Sequence, residues 1–211
     1  MHGAVAGGHA GFERDGYFAD FYAALGLLQL ESRRTVADNT VTGGLDLASG
    51  IHAGYFLNPA VTVGADIATE HGTLTPSLRL RYTGLMLDGY TESGSGDGLV
   101  VVARAVHELE LRAQLALALT PAGTEQGVVS SALRAGADII HRQGDTIAAE
   151  LMGQDIAFAS PGDGTRYRGF AALDLNLALT GGAALTGSIE AGLDTAGGYS
   201  ALAQFGINGA F

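Results

Sequence analysis

Charged side chains at every second position are the residues of this chain whose types and spacing could do chemistry. Glu108, Glu110 and Arg112 alternate with leucines, and Arg79 and Arg81 lie two apart in an earlier segment. In an extended strand such residues share one face. They could form a general acid/base pair, a ring that selects ions, or cross-strand salt bridges that neutralise one another. We favour the salt bridges, because the planar guanidinium of arginine can bridge carboxylates across a barrel interior.

Other chemistry-bearing residues give no recognisable constellation. The six histidines are scattered and the chain has no cysteine, so convergent ligands for a tetrahedral metal site are not expected. Residues 93–98 form a glycine-rich run, but the Lys-Ser/Thr and helix of a phosphate-binding loop do not follow it, and the spacing of a calcium loop is missing. The sequence therefore predicts no catalytic residue, no metal and no cofactor.

Composition excludes several classes of protein. The 211 residues are 47% hydrophobic and include 33 glycines, which is too apolar for a disordered chain. With 22 acidic against 11 basic residues, a basic surface for nucleic acid is not expected. A membrane helix needs about 18 consecutive apolar residues, whereas the runs here are short, and the first residues lack the pattern of a signal peptide. The hydrophobic residues must therefore be distributed in another way.

That distribution is strict alternation. From Glu108 to Thr120 the odd positions are leucine or alanine, and the even positions are charged, polar or small, which is the period of a β-strand. The same pattern recurs along the chain and predicts nine strands, most of them longer than the usual five or six residues. The predicted strands span residues 3–12, 16–32, 51–68, 73–88, 98–119, 127–142, 165–180, 183–194 and 199–211.

Long alternating strands fit either a soluble barrel or sandwich with a dry core, or a membrane barrel with an apolar outside and a polar lumen. Short connections (69–72, 121–126 and 181–182) alternate with long ones (33–50, 89–97 and 143–164), as in membrane barrels; the short connection at 195–198 is an exception. We therefore favour the membrane barrel. Ten charged residues are expected to face its lumen: Asp66, Arg79, Arg81, Glu110, Arg112, Arg134, Asp138, Arg168, Asp174 and Glu190.

Several segments resemble the autotransporter β-domain, the C-terminal translocator of type V secretion. They are LTPSLRLRY at 74–82, DGYTE at 88–92 and RRTV at 33–36. The C-terminus, with Phe205, Ile207 and Phe211 at alternate apolar positions, resembles the last strand of the family. The resemblance covers nearly the whole chain. It implies a twelve-stranded barrel in the outer membrane of a Gram-negative bacterium, which anchors and exports an N-terminal passenger absent from this chain, and a last strand that the barrel-assembly machinery reads.

We therefore expect residues 1–211 to form a single all-β domain, an antiparallel transmembrane β-barrel that lacks its first strands. Nine alternating strands leave the first and the last running in the same direction, whereas a closed antiparallel barrel needs an even number; three more would restore twelve. The expected partners are outer-membrane lipid, the barrel-assembly machinery and the protein's own passenger, and no nucleic acid.

Three other interpretations stay open at this point. The first is a stand-alone porin-like or adhesin-like outer-membrane barrel. The second is a soluble all-β binding module, whose charged face would be its wet exterior. The third is an enzyme built into a barrel wall, which would need a Ser/His or Asp/His pair at one rim.

Overall fold

The computed structural model describes residues 2–124 and 127–209, and β-strands make up most of them. Nine long strands correspond to the nine that the alternation predicts, so the all-β prediction is confirmed. They are β1 (His2–Arg14), β2 (Tyr17–Ala37), β3 (Leu45–Ala65), β5 (Gly72–Leu87), β8 (Arg104–Leu119), β10 (Gly127–Gly144), β13 (Gly164–Leu179), β14 (Ala183–Asp194) and β15 (Tyr199–Gly209).

Six short strands lie in segments that were predicted as connections or as parts of longer strands. They are β4 (Ile67–Thr69), β6 (Tyr90–Thr91), β7 (Leu99–Val101), β9 (Ala122–Thr124), β11 (Ile147–Leu151) and β12 (Gln154–Phe158). The predicted strand 98–119 is thus divided into β7 and β8, and the predicted loop 143–164 contains a hairpin. The predicted loop 33–50 is shorter, because β2 continues to Ala37 and β3 begins at Leu45.

The long strands form one antiparallel sheet in chain order, β1-β2-β3-β5-β8-β10-β13-β14-β15. Every neighbouring pair is antiparallel, with β4 added beside β5 and β9 beside β10. β1 and β15 are the two edges of this path, and their chain directions are the same because eight antiparallel steps separate them. These two edges could therefore pair directly only as parallel strands.

Two hairpins of the structure end in turns with positive φ at both central residues. Asp15 (φ 53°) and Gly16 (φ 80°) connect β1 to β2, and Met152 (φ 53°) and Gly153 (φ 75°) connect β11 to β12. Positive φ at both positions defines the two-residue turn whose twist matches that of the flanking strands. Asp-Gly is a usual sequence for this turn, whereas Met-Gly is not, which explains why the second hairpin is hard to predict.

A second sheet, with order β12-β11-β7-β6, extends the wall beyond the ends of β8 and β10. The amide of Asp145 donates to the carbonyl of Ala105, and the amide of Val102 to that of Ala148. These bonds continue the β8–β10 pairing into β7 and β11. Ser93, after β6, also forms a bridge with Ser49 of β3, so the extension is joined to the wall at two places.

The main sheet has one apolar and one charged face. Leu133, Ile139 and Ile189 are about half exposed on the apolar face, whereas Glu110, Asp138 and Ala172 are buried on the other. Because the charged face is the buried one, it is the concave face of a sheet that curls into a half-barrel. No helix in residues 2–124 and 127–209 is long and apolar enough to cross a membrane.

Candidate functional site

Asp138 of β10 is the centre of a charged cluster on the concave face. Its side chain is fully buried. The two nitrogens of Arg112 that face it, Nε and Nη2, donate to Oδ1 at 2.7 Å and to Oδ2 at 3.1 Å, and Nε of Arg168 donates to Oδ2 at 2.7 Å. One carboxylate thus accepts three charge-assisted hydrogen bonds from the strands on either side, β8 and β13, which is an arrangement of the strong kind.

Glu190 of β14 closes this cluster on the far side. It accepts a hydrogen bond from Arg168 at 3.1 Å and another from Arg112 at 3.4 Å. Arg112 lies on β8, three strands away from β14 in the sheet. In register, Arg112 lies opposite Asp194 of β14, four residues from Glu190. In a flat sheet three strand spacings and four residue steps of about 3.4 Å would put the two backbones about 20 Å apart, beyond the reach of both side chains. The contact therefore requires curvature towards the charged face. The ion pair of Arg112 and Glu190 is direct evidence that the sheet is curved.

Two further groups flank the Asp138 cluster. Arg134 binds Asp174 through two nitrogens, at 2.5 and 3.0 Å, and Ser188 donates to the same carboxylate at 2.7 Å. On the other side Arg79 and Arg81 each donate to a different oxygen of Glu110, at 2.7 and 2.6 Å. In both groups the partners lie on adjacent strands, as cross-strand pairing of opposite charges requires.

Phe170 lies beneath the two arginines of the central cluster. The guanidinium carbon of Arg112 is 4.1 Å from the centre of its ring, and that of Arg168 is 5.8 Å away. Gly136 of the neighbouring strand makes room for this ring, since a Cβ at that position would lie 2.8 Å from Cζ of Phe170. A cation over an aromatic face is attracted by the ring, so Phe170 supports Arg112 from below.

The ten charged residues named from the sequence fall into two sets. Nine take part in the three groups just described. Asp66 lies apart, between the end of β3 and the start of β4, where it is exposed and accepts a hydrogen bond from Thr75 at 2.6 Å. The structure therefore brings the nine residues into contact but leaves Asp66 outside the cluster.

The predicted C-terminal assembly signal is only partly described. Phe205 and Ile207 are highly exposed, at 84% and 79%, on β15. They alternate with Gln204 and Gly206 and so share the apolar face of that strand. Phe211 lies outside the described residues.

Among the ion pairs that were not predicted from the sequence, two join segments far apart in the chain. Arg166 of β13 lies 3.7 Å from Glu108 of β8, across the intervening β10. Arg34, near the end of β2, lies 2.8 Å from Glu92, which is 58 positions further along the chain. No sequence pattern marks a pair so far apart, because it depends on how the loop after β5 folds back onto β2 and β3.

The pair of Arg34 and Glu92 fixes that loop to the wall. The Glu92 side chain is 3% exposed and also accepts a hydrogen bond from the amide of Leu99 at 3.0 Å. Arg34 in addition donates to the carbonyl of Asp97 at 2.7 Å. Burial alone would raise the pKa of Glu92, but the hydrogen bonds from Arg34 and Leu99 outweigh it, so the pKa lies below its usual value.

The charged groups are suited to holding the wall rather than to acid/base chemistry. The carboxylates of Glu110, Asp138, Asp174 and Glu190 are each engaged by at least one arginine, so they accept bonds from fixed cations. In the described part of the chain, no three His, Cys, Asp or Glu side chains converge as metal ligands would. At the rim, Nδ1 of His141 lies 2.9 Å from the Thr165 hydroxyl.

An antiparallel half-barrel with an apolar outer face and a salt-bridged inner face is the wall of a transmembrane β-barrel. A family model, Autotransporter beta-domain, matches residues 1–190. The chain belongs to this family, which comprises the outer-membrane translocator barrels of type V secretion. A search of curated proteins finds no match. The family identified from the sequence is thus confirmed, and it is a family of transport barrels rather than of enzymes.

Proposed function

We propose that the chain is the greater part of a translocator barrel in the outer membrane of a Gram-negative bacterium, where it anchors and exports the passenger of its parent protein. The observation that carries this proposal is the separation of the two faces of one curled sheet. Apolar side chains cover the convex face, and ion pairs cover the concave face. Lipid would contact the first face and the exported chain would pass the second.

The height of the apolar face supports the membrane assignment. On β10 the convex positions run from Val129 to Ile139 with no charged residue among them. Ten residue steps of about 3.4 Å, tilted by about 40°, span about 26 Å, which matches the apolar band of outer-membrane barrels, about 25 Å tall.

The charged concave face is then the lining of the pore. The ion pairs of Asp138, Glu190 and Glu110 cancel most of one another's charge, so the lining would be polar and wet without attracting one sign of charge strongly. Such a surface would let an extended polypeptide pass without holding it. We also assign Asp66 to this lining. It would lie at the end of the barrel where β4 turns into β5, apart from the main cluster.

Closure of the barrel needs strands that are not among the nine. Because β1 and β15 run in the same direction, an odd number of additional strands must separate them in an antiparallel barrel. A second copy in the same membrane orientation would not help, since β1 of one copy would again meet β15 of the other in parallel. We propose that residues 1–211 form one domain together with preceding strands, three on the family pattern.

The exposed edge strand β15 is the proposed recognition segment for the barrel-assembly machinery. Phe205 and Ile207 present the apolar side chains, and Phe211 would be the terminal aromatic residue. This role is supported by family membership and by the exposure of the two described residues.

Cysteine labelling tests the assignment of the two faces, because the chain has no native cysteine. Ala132 and Ala135 lie on β10, three residues apart on opposite faces; Ala135 is exposed on the convex face. In membranes, a water-soluble thiol reagent should label Ala132→Cys and spare Ala135→Cys, and a lipid-soluble maleimide should do the reverse. Fast aqueous labelling of Ala135→Cys would contradict the membrane proposal and favour a soluble β-protein.

A stand-alone porin-like or adhesin-like barrel is the alternative, and export distinguishes it. An epitope fused ahead of residue 2 in the parent protein should become accessible to antibody on intact cells if the barrel is a translocator. Steady ion conductance in planar bilayers together with an epitope that stays inside would favour the porin instead.

A further inference from the structure

Two exposed histidines lie on the convex face just beyond the apolar band. His107 is on β8 and His141 on β10, and each is hydrogen-bonded through Nδ1 to a hydroxyl of a neighbouring strand. The hydroxyl of Tyr82 on β5 is 2.6 Å from His107, and that of Thr165 on β13 is 2.9 Å from His141. We call these four residues the outer-rim cluster.

The register places the cluster across four neighbouring strands. Tyr82 and His141 both pair with Leu109, and His141 also pairs with Thr165, so these residues form one row. His107 lies one row further out, paired with Gly84. Leu80, Leu111 and Ile139 form the next row inward, where the apolar band begins. The cluster is therefore about 14 Å wide and lies at the level of an interface.

The hydrogen bonds leave one nitrogen of each ring for another partner. When the hydroxyl donates to Nδ1, the ring hydrogen of a neutral histidine lies on Nε2. The nearby rim carboxylates are already engaged by the backbone: Asp145 accepts from the amide of Ala105 at 2.7 Å, and Asp163 from that of Gly144 at 2.9 Å. In that tautomer each Nε2–H is a donor on the convex face, and among the described residues neither imidazole is paired with a carboxylate.

We propose that the outer-rim cluster binds the phosphate group of a membrane lipid headgroup. The inference rests on the proposed function, because the convex face must contact lipid. A phosphate offers several acceptor oxygens at the height where headgroups begin, and imidazole and hydroxyl donors match it. The chain as a whole carries a net charge of −11, so general attraction to an anionic surface is not expected, and binding would depend on these local donors.

The test compares two lipids that differ in the phosphate alone. The full chain in detergent micelles is titrated with dioctanoyl phosphatidate or with dioctanoylglycerol, and bound lipids are counted by native mass spectrometry. We expect specific retention of phosphatidate. The double substitution His107→Gln, His141→Gln should weaken it by about fivefold per histidine, as expected for the loss of one hydrogen bond worth about 1 kcal/mol. His71→Gln, in the exposed turn at the opposite end, is the matched control and should bind normally.

Nitrogen chemical shifts of the imidazoles in the unmodified protein supply a second measurement, which does not depend on folding of the variants. Phosphatidate should shift Nε2 of His107 and His141 and leave His71 unchanged. Equal binding of dioctanoylglycerol, unshifted rim imidazoles, or equally tight binding of inorganic phosphate without lipid would overturn the proposal. If phosphatidate binding is not detected but Ala135→Cys stays unlabelled by the water-soluble reagent, only the headgroup-binding proposal is wrong. If Ala135→Cys reacts with the water-soluble reagent, the translocator proposal itself is wrong.

Discussion

Replacing Asp138 by asparagine should destabilise the barrel wall strongly. The substitution preserves volume but removes the charge that Arg112 and Arg168 share, and it places an amide N–H₂ among guanidinium donors. Glu190 would then have to neutralise both arginines. Removing one partner of a buried ion pair costs about 3–5 kcal/mol. Since the side chain of Arg168 remains 22% exposed and water can partly solvate it, we expect a loss near the lower limit, about 3 kcal/mol.

Asp174→Asn is the matched control, since it makes the same chemical change to a carboxylate that also binds an arginine. The Asp174 side chain is 33% exposed and keeps its bond from Ser188, so its loss should be about 1 kcal/mol or less. Reversible urea unfolding of the membrane-inserted protein, followed by circular dichroism, measures both. Equal effects of the two substitutions, or a loss below about 0.5 kcal/mol for Asp138→Asn, would refute the argument that burial of the Asp138 cluster decides its contribution.

Three further predictions, two of them with a matched control substitution, test other parts of the wall. Gly136→Ala should cost about 1–3 kcal/mol through overpacking, because its Cβ would overlap the backbone oxygen of Ala113 and lie 2.8 Å from the Phe170 ring. Gly169→Ala, which has open space around its Cβ, should be nearly neutral in the same unfolding assay. The pKa of Glu92 is lower in the folded protein than its ordinary value of 4.5. The ionised carboxylate therefore stabilises the loop above pH 4.5, and this contribution is lost as the pH falls through the folded pKa. Hydrogen exchange of the amides of residues 89–99 should become faster in that lower pH range, and Glu92→Gln should show the faster exchange already at pH 7. Leu133→Arg should cost about 2–4 kcal/mol in lipid, and Gln143→Arg, at the outer end of the same strand, about 0–1 kcal/mol; equal costs would contradict a lipid-facing band.

Alternation made the long strands predictable because it records two different environments on one strand. In β8 and β13 the two faces differ at nearly every position, so register and face follow from the sequence. Alternation also selected nine charged residues that form ion pairs on the concave face; that this face lines a lumen stays a proposal. The ends of strands were less predictable, since outside the membrane both faces are wet and the period fades. β11 and β12 fell in such a region.

The contacts between distant segments were beyond prediction from local pattern. Arg34 and Glu92 meet because the loop after β5 folds back, and Phe170 packs under Arg112 because Gly136 makes room for it. Both depend on three-dimensional curvature rather than on spacing along the chain. Asp66 could not be separated from the other nine by pattern: it continues the alternation, but it lies between β3 and β4, near the end of the sheet and away from the arginines of the cluster.

The ion pairs on the concave face connect the shape of the half-barrel with the character of the proposed pore. The backbones of Arg112 and Glu190 would be about 20 Å apart in a flat sheet, yet their side chains touch, so curling brings their charges together and their attraction in turn favours curling. Replacing them with apolar side chains could also fill the concave face, but the lining would then hold an unfolded apolar segment instead of letting it pass. A polar lining whose charges neutralise one another fills the concave face and would still not hold an apolar segment. Its acidic and basic side chains pair with each other, and water still contacts the surface. The same residues therefore shape the half-barrel and, under the proposed function, would keep its concave face unsuited to tight binding of an exported chain.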